Sequence, residues 1–257
     1  MLTKSRIDFK GVVFDFDNTL VEDSNAMRYA FMELKAEYRF LRNIPMDELI
    51  SKFYTADLGK KLLLDDMTPL EDINQERTKV VFEQLGLPLR DDAISEINDK
   101  IRKNHMDRIR PIKGAKKLLG LLKKEYTIGI VTNHILEYQM EKIERSNLTE
   151  YIDFVTAAYD ERSFKPDPEI FTRALESANC QKNEAVMIGD HWKNDVLGAL
   201  NYGIVPIWVN FKNQPEPEAN VAFTIRSYFD SKKTKALIET FYEKGQENLL
   251  SSDFIKF

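Results

Sequence analysis

Cysteine is almost missing from this chain: Cys180 is the single one among 257 residues. A lone thiol closes no internal disulfide, and a reducing compartment is the simple expectation. Histidine is nearly as scarce. His105, His134 and His191 are scattered, so no cluster of histidines and cysteines offers a zinc site. No apolar run approaches the roughly 18 residues needed to span a bilayer. The first apolar run is cut by Asp15, which fits no signal peptide, and a cytoplasmic protein with no membrane partner is expected. Positive charge is not in excess either. The formal net charge of -5 argues against a nucleic-acid backbone as partner, and the pairs Lys116-Lys117 and Lys123-Lys124 read as solvated helical faces. Internal repeats and low-complexity tracts are absent. What is present is an ordinary globular composition, 43% hydrophobic and 31% charged, with apolar material for one large domain or two modest ones.

One stretch organises the rest. Residues 11–20 read GVVFDFDNTL. The apolar run Val12-Val13-Phe14 predicts a buried strand, and it breaks into Asp15, Asp17, Asn18 and Thr19. Carboxylates at i and i+2 point to one side of an extended chain, while Phe16 faces the other way and can pack. At about 4 Å and an effective dielectric near 20, two such charges repel by roughly 4 kcal/mol. A fold tolerates that at a strand end when a cation or an anionic reaction uses the pair. The plain alternative is a strand followed by an Asp/Asn-rich turn.

Beyond Leu20 the periodicity becomes helical. Met27, Ala30, Phe31, Leu34, Tyr38 and Leu41 predict an amphipathic helix, capped by Asp23 or Ser24. Further helices are expected over 47–54, 74–85 and 91–107, and no strand is legible between 21 and 107. Helices and strands then alternate: helix 115–124, strand 127–131, helix 136–146, strand 154–156, helix 169–178, strand 185–188, helix 194–201, strand 205–209, strand 222–225 and helix 234–242. The tail from Gly245 onward reads as surface or loosely docked chain. Alternation of this kind implies an α/β fold, a Rossmann-like parallel sheet with helices on both faces. Residues 1–20 and 108–257 would form this core, and residues 21–107 an inserted all-helical domain. Sites in such sheets lie past the carboxyl ends of the strands. Asp15 and Asp17, Thr132 and Asn133, and Asp190 all stand at such ends.

If these ends converge, the site holds Asp15, Asp17, Asp190, Asp195, Thr132, Asn133 and Lys165. Oxygen-only ligands with several carboxylates suit a hard cation, and Mg²⁺ is the usual occupant beside a phosphate. Lys165 and the Thr132 hydroxyl would hold non-bridging phosphoryl oxygens. One carboxylate can then attack phosphorus to give an aspartyl-phosphate, and a second can protonate the leaving alkoxide and later deprotonate water. Taken singly, each residue has a plainer reading. Thr132 is a strand-end hydroxyl and Lys165 a surface lysine. Asp190 is a helix N-cap, and Asp195 a first-turn acid favoured by the helix dipole. His191 and Trp192 either line an entrance or pack; His134 either touches substrate or caps; Cys180 is an inert helix-end residue.

Four clusters carry a resemblance: Asp15-Phe16-Asp17-Asn18-Thr19; Val131-Thr132-Asn133; Lys165-Pro166-Asp167-Pro168 with Phe171; and Gly189-Asp190 with Asp195. In this order and spacing they resemble the four motifs of the haloacid dehalogenase-like (HAD) hydrolases, over residues 8 to about 245. The helical insert after the first motif resembles the cap of the branch that carries its cap there.

The resemblance implies roles. Asp15 would be nucleophile and metal ligand. Asp17 would be the general acid/base, with its backbone carbonyl on the metal. Thr132 and the Asn133 backbone would bind the phosphoryl oxygens, and Lys165 would stabilise nucleophile and phosphoryl charge. Asp190 would ligate Mg²⁺, and Asp195 would ligate it or orient its waters. Family members that cleave carbon–halogen bonds lack the second aspartate of the first motif, so Asp17 favours phosphate-ester hydrolysis. Asn18 stands where many relatives have glycine; asparagine tolerates the left-handed backbone a turn there needs. The expected activity is a Mg²⁺-dependent phosphatase acting on a small phosphorylated metabolite such as a nucleotide or sugar phosphate. A phosphosugar mutase and a non-catalytic phosphometabolite-binding protein are the alternatives. The substrate and the oligomeric state are not legible.

Overall fold

The computed structural model describes residues 9–56, 73–217 and 222–251. The chain divides into two compact units, Met1–Val21 with Pro111–Phe257, and Glu22–Arg110.

The first unit begins with β1 (Gly11–Phe14), whose four residues are all buried. The chain then enters the second unit, where four helices are described: α1 (Asp23–Glu37), α2 (Met46–Thr55), α3 (Ile73–Gln84) and α4 (Asp91–Met106). Their apolar stripes meet in a core of Met27, Phe31, Leu34, Leu49, Phe82, Ile94, Ile97 and Ile101. Back in the first unit come α5 (Ala115–Leu122), β2 (Thr127–Thr132), α6 (Leu136–Arg145), β3 (Phe154–Ala157) and α7 (Pro168–Ala178). They are followed by β4 (Ala185–Gly189), α8 (Gly198–Tyr202), β5 (Val205–Val209), β6 (Phe223–Ile225) and α9 (Ser231–Ser251).

The strands form one six-stranded sheet in the order β3-β2-β1-β4-β5-β6, and every pairing is parallel. This is the doubly wound arrangement expected from the alternation, and β1 lies at the switch point where ligands collect. Strands buried on both faces read as continuous apolar runs rather than alternating ones, as β1, β4 and β5 do. On one face Val13, Val131 and Met187 pack under Phe171, Ala174 and Leu175 of α7. α9 packs against α5 and β5. Phe14 is paired with Ile130 on one side and Ile188 on the other. Continuing that register by one residue sets Asp15 level with Val131 and Gly189, and the polar Thr132 and Asp190 follow those two directly.

Four local expectations are corrected. Neither Asp23 nor Ser24 caps α1: the N-cap is Glu22, without a side-chain cap bond. Asp23 is instead buried inside the first turn, where it accepts a hydrogen bond from the Tyr54 hydroxyl (2.7 Å) and pairs with His105 Nε2 (2.9 Å). The first helix stops at Glu37 and not at Leu41. Tyr38 turns extended, and its hydroxyl donates to Glu96 (2.8 Å) and accepts from Lys100 (3.0 Å) of α4; a 3₁₀ turn, Arg39–Leu41, follows. The predicted helix over 194–201 is a π-turn, Trp192–Leu197, running into α8. Finally, the chain past Gly245 is not loose. α9 continues to Ser251, and Gly245 is seated so close to β5 that a Cβ there would lie 2.4 Å from Val205 Cγ1. The remainder of that tail lies outside the described residues.

Candidate active site

Asp15 is the first residue beyond β1, and its N–H continues the ladder by donating to the Ile188 carbonyl (2.8 Å). Its carboxylate accepts from Lys165 Nζ at 2.7 Å, and the same ammonium donates to Asp195 at 2.7 Å. The second Asp195 oxygen accepts the His191 N–H at 2.9 Å. Asp195 reaches back because the π-turn widens the helix start, a feature frequent at functional sites, and because Gly189 leaves room. A Cβ on Gly189 would lie 2.4 Å from the Asp195 carboxylate.

Lys165 is 4% exposed and is held by its backbone as well. Its N–H donates to Asn133 Oδ1 (2.7 Å), and Asn133 Nδ2 donates to its carbonyl (2.9 Å). This clamp ties the loop beyond β2 to the loop before α7; the Lys165–Pro166 peptide is cis. Thr132 ends β2 with its hydroxyl donating to Gln139 Oε1 (3.2 Å). Asn18 adopts φ 61°, and its N–H closes the turn on the Val21 carbonyl (2.9 Å). Thr19 donates to Asp190 (3.4 Å), whose own carbonyl accepts from Trp208 Nε1 (3.0 Å).

The carboxylates of Asp15, Asp190 and Asp195 come together, with one oxygen from each within 4.8 Å of the others. The electrostatics record the crowding. Burial is the largest cause of a raised Asp15 pKa; Asp195 adds to it and Lys165 opposes it. Asp190 is pushed well above the ordinary carboxylate value by burial, then by the charges of Asp15 and Asp195. Burial alone would lower the Lys165 ammonium, but Asp15 and Asp195 more than offset it and hold its pKa above the ordinary lysine value. A cluster of oxygen donors whose mutual repulsion one ammonium offsets only in part fits a hard divalent cation such as Mg²⁺.

The Asp17 carboxylate is turned elsewhere. Both its oxygens accept from Lys142 Nζ, each at 2.7 Å. Lys142, Gln139 and Tyr228 are residues around the site that the sequence reading did not name, and Thr19 it named only within the first motif. The Tyr228 hydroxyl is buried without a partner among the described residues, and its pKa is raised well above the ordinary value by burial, then by Asp190 and Asp15. The residues with two readings make these contacts. His134 stacks on Tyr138 with centroids 4.6 Å apart. His191 is an N-cap, accepting from the Asn194 N–H at 3.1 Å. Trp192 packs edge-on against Trp208 at 5.1 Å. Cys180 is buried beside the α7 core.

Comparison with known proteins is consistent with this geometry. N-acylneuraminate-9-phosphatase of Homo sapiens is 26% identical over 228 residues, covering 83% of this chain and 90% of that protein. Pyrimidine 5'-nucleotidase YjjG of Escherichia coli is 34% identical over 109 residues; that match takes in 42% of this chain and spans about half of the relative's length, 48%. Among solved structures, the HAD-hydrolase YfnB of Bacillus subtilis, bound to magnesium, superimposes with a TM-score of 0.69 at 19% identity over 89% of this chain and 99% of that one. Residues 12–209 match the family model described as haloacid dehalogenase-like hydrolase. The chain therefore belongs to the haloacid dehalogenase-like hydrolases.

Proposed function

We propose that this chain is a Mg²⁺-dependent phosphatase that hydrolyses a small phosphomonoester through an aspartyl-phosphate on Asp15. The observation that carries the reading is the Lys165 ammonium set between Asp15 and Asp195 at 2.7 Å from each, beside the carboxylate of Asp190. Asp15, Asp190, Asp195 and the Asp17 backbone carbonyl would hold the ion, which when bound supplies positive charge to the phosphoryl oxygens. An Asp15 oxygen attacks phosphorus, and the bond to the leaving oxygen breaks as Asp17 donates it a proton. Water then attacks the same phosphorus and gives a proton to Asp17; the Asp15–phosphorus bond breaks and phosphate leaves. Thr132 and the Asn133 backbone bind non-bridging oxygens, and Lys165 stabilises charge on them and on Asp15. Named relatives support the substrate class. They are an N-acylneuraminate-9-phosphatase, a pyrimidine 5'-nucleotidase and a glyceraldehyde 3-phosphate phosphatase. The helical unit Glu22–Arg110 would serve as the cap that selects among such esters.

The test is phosphate release across a panel of nucleotides, sugar phosphates and p-nitrophenyl phosphate, with and without EDTA. Turnover is expected for at least one ester and is lost with EDTA and in Asp15→Asn. Full activity in either condition removes the reading. Conversion of a sugar phosphate to its isomer without free phosphate would make the protein a mutase.

A further inference from the structure

α6 reads LEYQMEKIER, and its buried residues are Tyr138, Gln139, Lys142 and Ile143. Residues three and four apart share a helix face, so an amide and an ammonium lie among apolar neighbours on the buried side. Both lead to the strand ends. Gln139 accepts from the Thr132 hydroxyl, and Lys142 donates to Asp17. Lys142 is 1% exposed. A lysine that only packs its stem lets the ammonium reach water; this one does not. Burying an ammonium is costly, and a well-packed apolar side chain of similar size is often as stable or more so. Stability therefore does not account for the choice of residue.

The geometry does. One Nζ contacts both Asp17 oxygens at 2.7 Å, which centres the ammonium on the carboxylate and ties that side chain to the buried face of α6. The Tyr138 ring, 5.4 Å from that ammonium, flanks it from its own helix. Asp17 meanwhile keeps 24% of its side chain exposed.

We infer that Lys142 is a positioning residue for proton transfer, holding the Asp17 carboxyl where it reaches the leaving oxygen. The inference rests on the phosphatase reading above. It says nothing of phosphate binding, and that makes it separable. An alkoxide leaving group needs the proton Asp17 donates, whereas p-nitrophenolate is a stable anion that departs without one.

Two esters decide it: p-nitrophenyl phosphate, and whichever of ribose 5-phosphate, glycerol 3-phosphate and UMP the wild type turns over fastest. Lys142→Met keeps the length and removes the charge. It is expected to lower kcat/KM, which reads the step that expels the leaving group, on the alkyl ester by about 10- to 100-fold, part of what a general acid usually contributes, while kcat/KM on the aryl ester stays within about threefold. Lys142→Arg, which keeps a charge able to pair with both oxygens, should recover part of the alkyl activity. In an Asp17→Asn background Lys142→Met should cost nothing further. Equal losses of kcat/KM on both esters, no loss at all, or a full added loss in the Asp17→Asn background would each overturn the role. Should Lys142→Met fail to fold, the alkyl-to-aryl ratio of Lys142→Arg and Lys142→Gln carries the same decision. A wild type that releases phosphate from neither ester overturns the phosphatase reading and this one together, whereas failure in the variants alone overturns only the role of Lys142.

Discussion

At the scale of single residues, the site is shaped as much by a missing side chain as by those present. Gly189 ends β4, and the Asp195 carboxylate fills the space its Cβ would take, with Cγ and Oδ2 both 2.4 Å away. Neither partner can yield cheaply. Gly189 is held in the ladder beside Trp208, and Asp195 is tied to Lys165 and to the His191 N–H. Gly189→Ala should therefore push Asp195 away from Lys165 and leave both buried charges short of a partner. Activity should fall by about 100-fold or more, the scale of losing one preorganised electrostatic group, while far-UV circular dichroism stays that of the wild type. An alanine variant with wild-type kcat would show that the Asp195–Lys165 contact is dispensable. The site residues named from sequence were legible for a simple reason. Asp15, Asp17, Thr132, Lys165, Asp190 and Asp195 each have a plainer reading alone, but together they fall in the order and spacing of four motifs. Lys142 was illegible because a lysine in a helix is ordinarily solvated, and only the tertiary structure shows its face turned inward.

At the scale of elements, two effects of similar size meet where α9 docks. Gly245 lies inside the helix, where glycine costs about 1 kcal/mol relative to alanine. Yet a Cβ there would stand 2.4 Å from Val205 Cγ1 and 2.7 Å from Cγ2. Overpacking of a tight contact typically costs about 1–3 kcal/mol, so the clash should win. Gly245→Ala is expected to lower the melting temperature by a few degrees, and a rise would mean the end of α9 stands off β5. The same helix shows where sequence reading stops. The apolar period over 234–242 predicted a helix there, but nothing in the periodicity marks residues 243–251, because they are fixed by a glycine pressed against a strand. The order of strands and helices was legible because the sheet is buried on both faces and its strands are short continuous apolar runs. The π-turn at Trp192–Leu197 was not, since the contact it permits, from Asp195 to the His191 N–H, has no periodic signature.

At the scale of the whole molecule, the acidic cluster should make stability depend on pH and on divalent metal together. The Asp15 and Asp190 pKa values are raised in the folded chain, burial being the first cause for both. A carboxyl raised in this way binds more protons folded than unfolded. The stability it contributes is fully present below the unfolded value of about 4 and is lost as pH rises through the raised folded value. Protein stripped with EDTA should therefore lose stability on that account between mildly acid and neutral pH. Mg²⁺ needs the deprotonated carboxylates, so its stabilisation should grow over the same range, reaching about 2.7 kcal/mol at a hundredfold excess over Kd. The chain carries a natural reporter. Both tryptophans, Trp192 and Trp208, lie in the α/β unit, and the Trp208 indole donates to the Asp190 carbonyl at 3.0 Å. Thermal melts followed by tryptophan fluorescence at pH 5 and pH 7.5, with EDTA or with Mg²⁺, should show the larger metal-induced rise at pH 7.5. Asp190→Asn should remove most of that rise while melting near or above the EDTA-treated wild type at pH 7.5, because it deletes one of the crowded charges. An equal response to Mg²⁺ in the wild type and in Asp190→Asn would separate the acidic cluster from metal binding altogether.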